Sequence, residues 1–465
     1  MQVKDRPVAA TEIYEVNIAG LSHSGEGVGK IRGFTVFVPG AIPGETVLAR
    51  ITEVRSNYAR ATLEEIVAPS AHRATPACPV FWKCGGCQLQ HIEYLRQLEL
   101  KREVVAQALR RIGHLECEVL PVMGMDNPWR YRNKGQFHAG KSDGRVFFGF
   151  FKPGSYEAVP ARDCLLFSPA VNNLLGYLEQ SLTESGVEVY HPETGHGWLR
   201  NLVIRESSAT GEMMAVFVTA YEKSLNPHFL QSLGEAFPQL TSVYQNINPG
   251  RSPLALGPKF RLLSGKPEIT DKIEHLSFDI SPGSFFQVNH VQTEVLYRIV
   301  REFAELNGTE TVLDAYSGVG TIALFLAERA KKVIAVEENK KAVADAQKNA
   351  RGNGIKNVRF IAQRVEDWVT NAALDHERPD VAVVDPPRQG LNRGFLQALV
   401  AMGPARLVYV SCNPATLARD LGHLANQGYT INAVQPVDMF PQSGHVETVV
   451  LMSRVNERVC RKALK

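Results

Sequence analysis

The chain has 465 residues, of which 51 are Lys or Arg, 48 are Asp or Glu and seven are Cys. A net charge of +3 does not by itself indicate a nucleic-acid binder, and so few cysteines exclude a disulfide framework and favour a reducing cytoplasm. No run of about 18 apolar residues is present, so we expect no membrane span, and the length suits roughly two to four domains.

The first 66 residues are predicted to form a small β-barrel. Their short β-like runs are interrupted by Pro-Gly pairs at 39–40 and 43–44, a pattern typical of small all-β units. The sequence Gly-Glu-Gly-Val-Gly-Lys at 25–30 is not a phosphate loop. Ser24 stands where the first glycine is required, and Ile31 follows the lysine.

Three cysteines follow the barrel with the spacing C-x5-C-x2-C, namely Cys78, Cys84 and Cys87. Thiolates this close favour a zinc ion or an iron–sulfur cluster, and zinc is the first expectation because structural zinc sites commonly use such pairs. A fourth ligand would be Cys117 or Cys164. Behind this cluster, residues 90–111 have apolar positions at helical spacing, so we predict a helix there.

The segment 120–280 is predicted to be mixed α+β. Between Trp129 and Lys152 it carries six basic residues and one acidic residue, interleaved with seven aromatics. Basic side chains in such a stretch suit the phosphates of RNA, whereas we expect most of the aromatics to lie in the protein core.

From about residue 285 onward, β-like and helical segments alternate regularly. The β-like runs cover 311–314, 332–336, 358–361, 380–384, 406–410 and, near the end of the chain, 448–452. This alternation predicts an α/β domain with a doubly wound parallel sheet, in which ligands bind beyond the carboxyl ends of the strands.

Three features at those strand ends predict a cofactor crevice. Gly318 and Gly320 form a turn after the first strand that lets the backbone approach a ligand. Glu337 ends the second strand about 20 residues later, where a carboxylate can accept hydrogen bonds from ribose hydroxyls. Asp385 ends the fourth strand and is followed by two prolines that stiffen the turn. In this order the features resemble S-adenosylmethionine-dependent methyltransferases.

Cys412 stands alone where the fifth strand meets the next helix, within Ser-Cys-Asn-Pro. A lone cysteine is often a buried structural thiol. Methyl transfer to carbon 5 of uracil, however, needs a thiolate that adds to carbon 6 and a base that removes the C5 proton. The helix N-terminus behind Cys412 is expected to favour the thiolate. His445 and Glu447, just before the last strand, are both candidates for the base.

Five motifs together resemble those of the RNA 5-methyluridine methyltransferases. They are Phe-Phe-Gln-Val-Asn at 285–289, Asp-Ala-Tyr-Ser-Gly-Val-Gly-Thr at 314–321, Asp-Pro-Pro-Arg at 385–388, Ser-Cys-Asn-Pro at 411–414 and His-Val-Glu-Thr at 445–448. The resemblance implies that Cys412 is the nucleophile and Glu447 the base. It also implies an S-adenosylmethionine site lined by Gln287, Tyr316, Glu337 and Asp385.

The same resemblance implies the domain organisation. Residues 1–66 would form a TRAM domain, an RNA-binding barrel related in shape to OB-folds. Residues 67–284 would form a central RNA-binding domain, and residues 285–465 a Rossmann-like methyltransferase domain on which helix 90–113 packs. The family's last cluster ligand follows a Trp-Arg-Tyr-Arg-Asn-Lys block, here at 129–134. A [4Fe-4S] cluster would therefore be held by Cys78, Cys84, Cys87 and Cys164.

Ribosomal RNA of the large subunit (23S) is the expected substrate, because the barrel and the four cysteines occur together in the ribosomal members of the family. Three alternatives stay open: a tRNA uridine C5-methyltransferase, an RNA methyltransferase acting on a base amino group, and a non-catalytic RNA-binding protein. We expect a cytoplasmic monomer without membrane association.

Overall fold

The computed structural model describes residues 7–250, 255–374 and 378–454, so Cys460 and the basic residues of the C-terminal tail (Arg458, Arg461, Lys462 and Lys465) lie outside the described residues. The N-terminal unit is a closed barrel with the strand order β1-β2-β3-β5-β4. Its strands are β1 (Ile13–Leu21), β2 (Gly27–Ile31), β3 (Phe34–Val38), β4 (Thr46–Val54) and β5 (Tyr58–Ala68). Alternate side chains such as Val16, Val36 and Val47 fill the interior. The predicted small barrel is confirmed.

A single long helical segment connects the barrel region to the rest of the chain. It consists of α1 (Tyr94–Ala108) and one π-helical turn over Leu109–Gly113. The helix begins four residues later than predicted, because the Gln97 amide donates hydrogen bonds to the carbonyls of Leu89 and Ile92 and holds that stretch in turns. Further along, Val105 and Leu109 are buried in the core of the C-terminal domain.

The central domain is built on a seven-stranded sheet with the order β12-β11-β10-β9-β6-β7-β8. Its elements are β6 (Lys134–Ser142), β7 (Arg145–Phe151), β8 (Ala158–Pro160), α2 (Pro169–Glu184), β9 (Leu199–Glu206), β10 (Met213–Thr219), α3 (Pro227–Ala236), β11 (Leu240–Ile247) and β12 (Lys259–Gly265). Tyr131, Phe137 and Phe148 are buried in the core of this domain, and Trp129 and Phe150 pack against it. The expectation that most of the seven aromatics between Trp129 and Lys152 are core residues is therefore confirmed.

A short hairpin leads into the C-terminal domain, which has a second seven-stranded sheet with the order β17-β16-β15-β18-β19-β21-β20. The hairpin and the domain comprise β13 (Ile269–Ile273), β14 (Leu276–Ile280), α4 (His290–Ala304), β15 (Thr311–Ala315), α5 (Thr321–Ala327), β16 (Lys332–Glu337), α6 (Lys340–Gly352), β17 (Val358–Ala362), α7 (Val365–Leu374), β18 (Val381–Val384), α8 (Arg393–Met402), β19 (Arg406–Ser411), α9 (Pro414–Ala425), β20 (Tyr429–Val437) and β21 (Glu447–Arg454). The predicted doubly wound sheet is confirmed, although β20 was not predicted.

Alternation along the parallel strands places helices on both faces of this sheet. Val312, Val333 and Val381 belong to one buried cluster, and their neighbours Leu313, Ile334 and Ala382 belong to another on the opposite face. The strand order reverses between β15 and β18, where crevices form in such sheets. β21 runs antiparallel to both neighbours, so its first residue lies at the carboxyl edge of the parallel strands.

Among the described residues, no helix is both long enough and apolar enough to cross a bilayer.

Candidate active site

The turn after β15 has the conformation that the two glycines predict. Gly318 and Gly320 have φ values of 55° and 81°, and a Cβ on Gly320 would lie 3.0 Å from both Ala346 and the Phe360 ring. Tyr316 also has a positive φ of 67°, a strained conformation for a residue with a side chain. The chain therefore turns at the carboxyl edge of the sheet in a backbone conformation that lets a ligand come close.

Glu337 is tied directly to this turn. Its carboxylate accepts hydrogen bonds from the Gly318 amide at 3.0 Å and from the Asn339 amide at 2.8 Å. The amides of Tyr316 and Ser317 donate to the Val336 carbonyl, which joins the ends of β15 and β16. Each carboxylate oxygen keeps acceptor capacity for a further donor such as a ribose hydroxyl.

Asp314, at the end of β15, is a polar group that the sequence prediction did not assign. It is fully buried, and neither carboxylate oxygen has a hydrogen bond of ordinary geometry among the described residues. Burial and nearby Asp385 hold the pKa of Asp314 well above its usual range, although the Ala323 amide is close enough to lower it somewhat. Asp314 thus lies buried beside the glycine turn, where ionisation of its carboxyl group is disfavoured.

The other two predicted cofactor residues come from different segments. Asp385 follows β18 beside the turn, and burial raises its pKa to about 7. Gln287 is buried on the segment that enters α4, where its carbonyl accepts a hydrogen bond from the Asn133 side chain at 3.1 Å. α4 packs over the crevice, because the Tyr297 hydroxyl lies 2.8 Å from the Thr321 hydroxyl at the start of α5.

Cys412 lies between β19 and α9 and is half-buried. The turn is fixed by Asn413, which caps α9 by accepting a hydrogen bond from the Ala415 amide and donates to the Arg388 carbonyl at 3.0 Å. Burial, with a contribution from Glu447, raises the pKa of the Cys412 thiol to about 11, while Arg388 lowers it. We expected the helix N-terminus to favour the thiolate, but burial has the larger effect and favours the neutral thiol.

Glu447 lies next to Cys412, because Ser411 on β19 pairs with Thr448 on β21. Its side chain is fully enclosed, and burial together with Asp385 raises the pKa of Glu447 to about 8. His445, the other candidate base, is half-buried and lies 3.4 Å from Arg388. Burial and the Arg388 charge lower the pKa of His445 to about 4, so it is neutral at pH 7.

Arg388 is the arginine of the Asp-Pro-Pro-Arg motif, and the sequence alone assigns it no role. Its positive charge lowers the pKa of both Cys412 and Glu447, and its side chain contacts His445. It is the cation that favours the ionised forms of the thiol and the carboxylate in this crevice. The Asp-Pro-Pro-Arg sequence was the signal that could have identified it, since the prolines fix where the arginine emerges.

The four cysteines predicted from the family resemblance line one cavity of about 170 Å³, whereas Cys117 packs against the core of the C-terminal domain. Burial raises the pKa of Cys87 to about 12, with contributions from Cys164, Cys84 and Cys78, so the thiols are mutual neighbours. Within the described ranges, no three His, Cys, Asp or Glu side chains converge tightly enough to hold a single metal ion. The four thiols thus share one cavity without forming a tight metal-ion site among these residues.

The basic residues predicted for an RNA groove do not all point outward. Arg130 donates hydrogen bonds to the carbonyls of Cys164 and Phe167, and Arg132 lines the cysteine cavity. Lys134 is largely buried, and desolvation lowers its pKa to about 7. Arg130, Arg132 and Lys134 therefore make their contacts within the protein. Lys141 and Arg145 are the exposed members of the set.

Comparisons with known proteins were made for the whole chain. A family model described as tRNA (Uracil-5-)-methyltransferase matches residues 266–455, and a TRAM domain model matches residues 10–63. An uncharacterized RNA methyltransferase of Clostridium tetani is 43% identical over 458 residues, which cover 98% of this chain and 99% of that protein. Another, from Caldanaerobacter subterraneus, is 44% identical over 445 residues, which cover 96% of this chain and 98% of that protein.

A solved structure also matches along most of the chain. The Pyrococcus abyssi tRNA (uracil-54, C5)-methyltransferase, in complex with S-adenosyl-L-homocysteine, is 28% identical with a TM-score of 0.74, and the match covers 94% of this chain and 100% of that one. The sequence identities, the matching fold and the two family models thus all indicate the same family. The chain belongs to the RNA (uracil-5-)-methyltransferase family and carries the family's methyltransferase fold behind an N-terminal TRAM domain.

Proposed function

We propose that this protein transfers a methyl group from S-adenosylmethionine to carbon 5 of a uridine in RNA. The observation that carries this proposal is the placement of Cys412 and Glu447 side by side, at the end of β19 and the start of β21. A thiol and a buried carboxyl group at one crevice are the two groups that C5 methylation of uracil requires. A target base within a stacked RNA would have to be flipped out to reach them.

The cofactor is proposed to bind at the glycine turn of β15. Glu337 would accept hydrogen bonds from the ribose, and Tyr316, Gln287 and Asp385 would line the remainder of the site. The unpaired carboxyl group of Asp314 supports a ligand here, because a bound group would supply the missing partner. When bound, S-adenosylmethionine supplies an electrophilic methyl group.

The protein side chains then act in a defined order. Cys412 first loses its thiol proton to solvent, a step that the Arg388 charge favours, and the thiolate forms a bond to C6 of the uracil while the C5–C6 π electrons shift toward C5 and the C4 carbonyl. C5 takes the methyl group, and Glu447 removes the C5 proton. The electron pair of the C5–H bond re-forms the double bond, and the sulfur–C6 bond breaks to release Cys412. Since the pKa of Glu447 is about 8, proton removal should become faster as the pH rises toward 8.

Covalent trapping tests this mechanism. An RNA containing 5-fluorouridine has no removable C5 proton, so the wild type should accumulate a protein–RNA adduct that withstands denaturation. Cys412→Ala should form none, and Glu447→Gln should accumulate an already methylated adduct on ordinary RNA. Near-normal methyl transfer by Cys412→Ala would refute covalent addition and favour methylation of a base amino group.

Large-subunit (23S) ribosomal RNA is the proposed substrate, supported by the presence of both the TRAM domain and the four-cysteine cavity in one chain. tRNA is the second candidate, because the matching Pyrococcus abyssi enzyme is a tRNA methyltransferase. Mass-spectrometric mapping of 5-methyluridine in both RNA classes from a deletion strain would distinguish them. Loss of the modification from tRNA alone would overturn the ribosomal assignment.

A [4Fe-4S] cluster is proposed to be held by Cys78, Cys84, Cys87 and Cys164, with a structural role. The shared cavity and the mutual proximity of the thiols support this donor set. Anaerobically purified protein should contain iron and sulfide and absorb visible light. Cys164→Ser should lose iron, whereas the matched variant Cys117→Ser should keep it. Stoichiometric zinc without iron would overturn the assignment.

A further inference from the structure

A groove of about 390 Å³ lies between the barrel and the cysteine segment, outside the crevice described above. The barrel contributes the loop at 24–26, Gly40 and Arg60 to its lining. The cysteine segment contributes Trp82 and His91, and Cys84 and Cys87 line both this groove and the cysteine cavity. The volume falls within the range of about 300–1,000 Å³ that is usual for ligand sites.

Trp82 is the unusual residue of this groove. Its side chain is 60% exposed, although it is the largest apolar side chain in the segment. Its ring is held by an edge-on contact with Phe81, with centroids 4.7 Å apart, and by a tilted contact with His91 at 5.4 Å. A Cβ on Gly40, which has a φ of 82°, would approach the indole within 3.3 Å. Trp82 is therefore a supported indole with an open surface.

His91 provides a second sign of an unfilled site. It is only 1% exposed, yet both ring nitrogens lack a hydrogen-bond partner among the described residues. Burial and the Arg73 charge lower its pKa to about 4, so the ring is neutral, with one donor and one acceptor. Unsatisfied groups of this kind in the wall of a groove are commonly completed by a ligand or an ordered water.

The charges around the groove suit a phosphate at its rim. Arg60 is 45% exposed at its side chain and pairs with Glu26, which leaves other guanidinium donors for an anion. Lys83, next to Trp82 in the chain, is exposed as well. An open aromatic surface beside cationic side chains is the combination that binds single-stranded nucleic acid.

The groove lies next to the crevice. Gly444, in the loop before Glu447, is so close to the barrel that a Cβ would lie 2.8 Å from the Gly25 amide. His23 is also near enough to His445 for its charge to lower the pKa of that residue. The barrel loop that lines the groove therefore also borders the proposed catalytic crevice.

We propose that this groove binds one unpaired nucleotide of the RNA substrate, with its base stacked on Trp82 and its phosphate near Arg60 and Lys83. This inference rests on the proposed function, because it assigns a second contact to the same RNA. The bound nucleotide lies outside the crevice and is not the uridine that is methylated. The cysteine segment thus holds the base, and the barrel contacts the phosphate through Arg60.

Binding of a fluorescently labelled oligouridine to the full-length protein tests the proposal. Stacking contributes about 1–3 kcal/mol per base, so Trp82→Ala should weaken binding about 5- to 140-fold. Trp82→Phe, which keeps a stacking ring, should restore most of the affinity. Tyr221→Ala is the matched control, because Tyr221 is another exposed aromatic, on the central domain, and this variant should bind like the wild type.

An abasic oligomer of the same length separates stacking from a structural effect. Without bases, the wild type and Trp82→Ala should bind equally, because only the backbone contacts remain. Equal affinity of the two proteins for oligouridine, or the same loss on both oligomers, would overturn the proposal. Failure of the proposed function would give a different result from failure of the groove proposal. In that case the wild type would bind oligouridine but methylate no RNA.

Discussion

Glu447→Gln should stabilise the cofactor-free protein at alkaline pH. Glu447 is enclosed at the start of β21 beside Asp385, and burial raises its pKa to about 8 from the ordinary 4.5. A glutamine has nearly the same shape and stays neutral at every pH. The variant therefore removes the penalty for enclosing an ionised carboxylate while it keeps the packing.

The sign and size of the effect follow from the pKa shift. The folded pKa is raised, so stability is fully present below pH 4.5 and is lost as the pH rises toward about 8, because the unfolded chain releases the proton first. At 1.36 kcal/mol per pKa unit, the loss between pH 5 and pH 8.5 is about 4 kcal/mol for the wild type. Glu447→Gln should not lose this stability between the two pH values.

Thermal unfolding at pH 5 and pH 8.5 measures this difference. For a domain of this size, about 4 kcal/mol corresponds to roughly 10 °C in the unfolding midpoint. The unfolding midpoint of Glu447→Gln minus that of the wild type should be larger at pH 8.5 than at pH 5 by roughly 10 °C. Glu338→Gln, at an exposed position directly after β16, should show no such change. A difference that stays constant with pH would refute the argument that burial keeps Glu447 protonated.

Three further predictions concern residues around the same crevice. Arg388→Gln should move the pH–rate profile of methyl transfer to higher pH, because Arg388 lowers the pKa of both Cys412 and Glu447, and Arg388→Lys should restore part of the shift. Gly320→Ala should weaken S-adenosylmethionine binding in calorimetry by tenfold or more, since its φ of 81° costs a side chain about 1–2 kcal/mol before any clash. Lys101→Met should destabilise the protein to urea by about 3–5 kcal/mol, because it leaves the buried carboxylate of Asp438 without its cation; a double-mutant cycle with Asp438→Asn should then show strong coupling.

Much of the C-terminal domain could be predicted from the sequence because its signals are local. Each parallel strand is a short apolar run, and Glu337, Asp385 and Cys412 stand at the end of such a run or directly after it. The glycine turn could be recognised since positive φ values at Gly318 and Gly320 are needed there. β20 escaped prediction because its exposed and buried residues do not alternate regularly, and it contains a bulge between Ile431 and Ala433.

The electrostatics of the site could not be predicted from the sequence, because they depend on burial. Neither the high pKa of Glu447 nor the orphaned carboxyl group of Asp314 has a sequence signature. His445 and Glu447 were equivalent by spacing, and the structure separates them: one is neutral beside a cation, and the other is enclosed beside Cys412. Arg130 and Arg132 were similarly ambiguous, because a basic residue in a sequence gives no indication of whether it faces RNA or a buried carbonyl.

The loop that precedes Glu447 is held by contacts from distant parts of the chain. The Lys101 ammonium lies 2.5 Å from Asp438 across 337 residues of sequence, and both side chains are almost fully buried. The amides of Gln88 and Leu89, directly after the last cysteine of the C-x5-C-x2-C group, each donate to the Gln442 carbonyl at 3.0 Å.

Gln442 itself has a φ of 68°, a conformation that persists only where the surroundings impose it. The barrel closes the other side of the loop at Gly444, where a side chain would collide with Gly25. The position of the proposed base is thus set jointly by the helix, the cysteine segment and the barrel. The cysteine segment is therefore connected to the proposed base although it takes no part in the chemistry. If this segment were disordered, the loop at Gln442 would no longer be held in place. Glu447 would then lose its fixed position at the crevice.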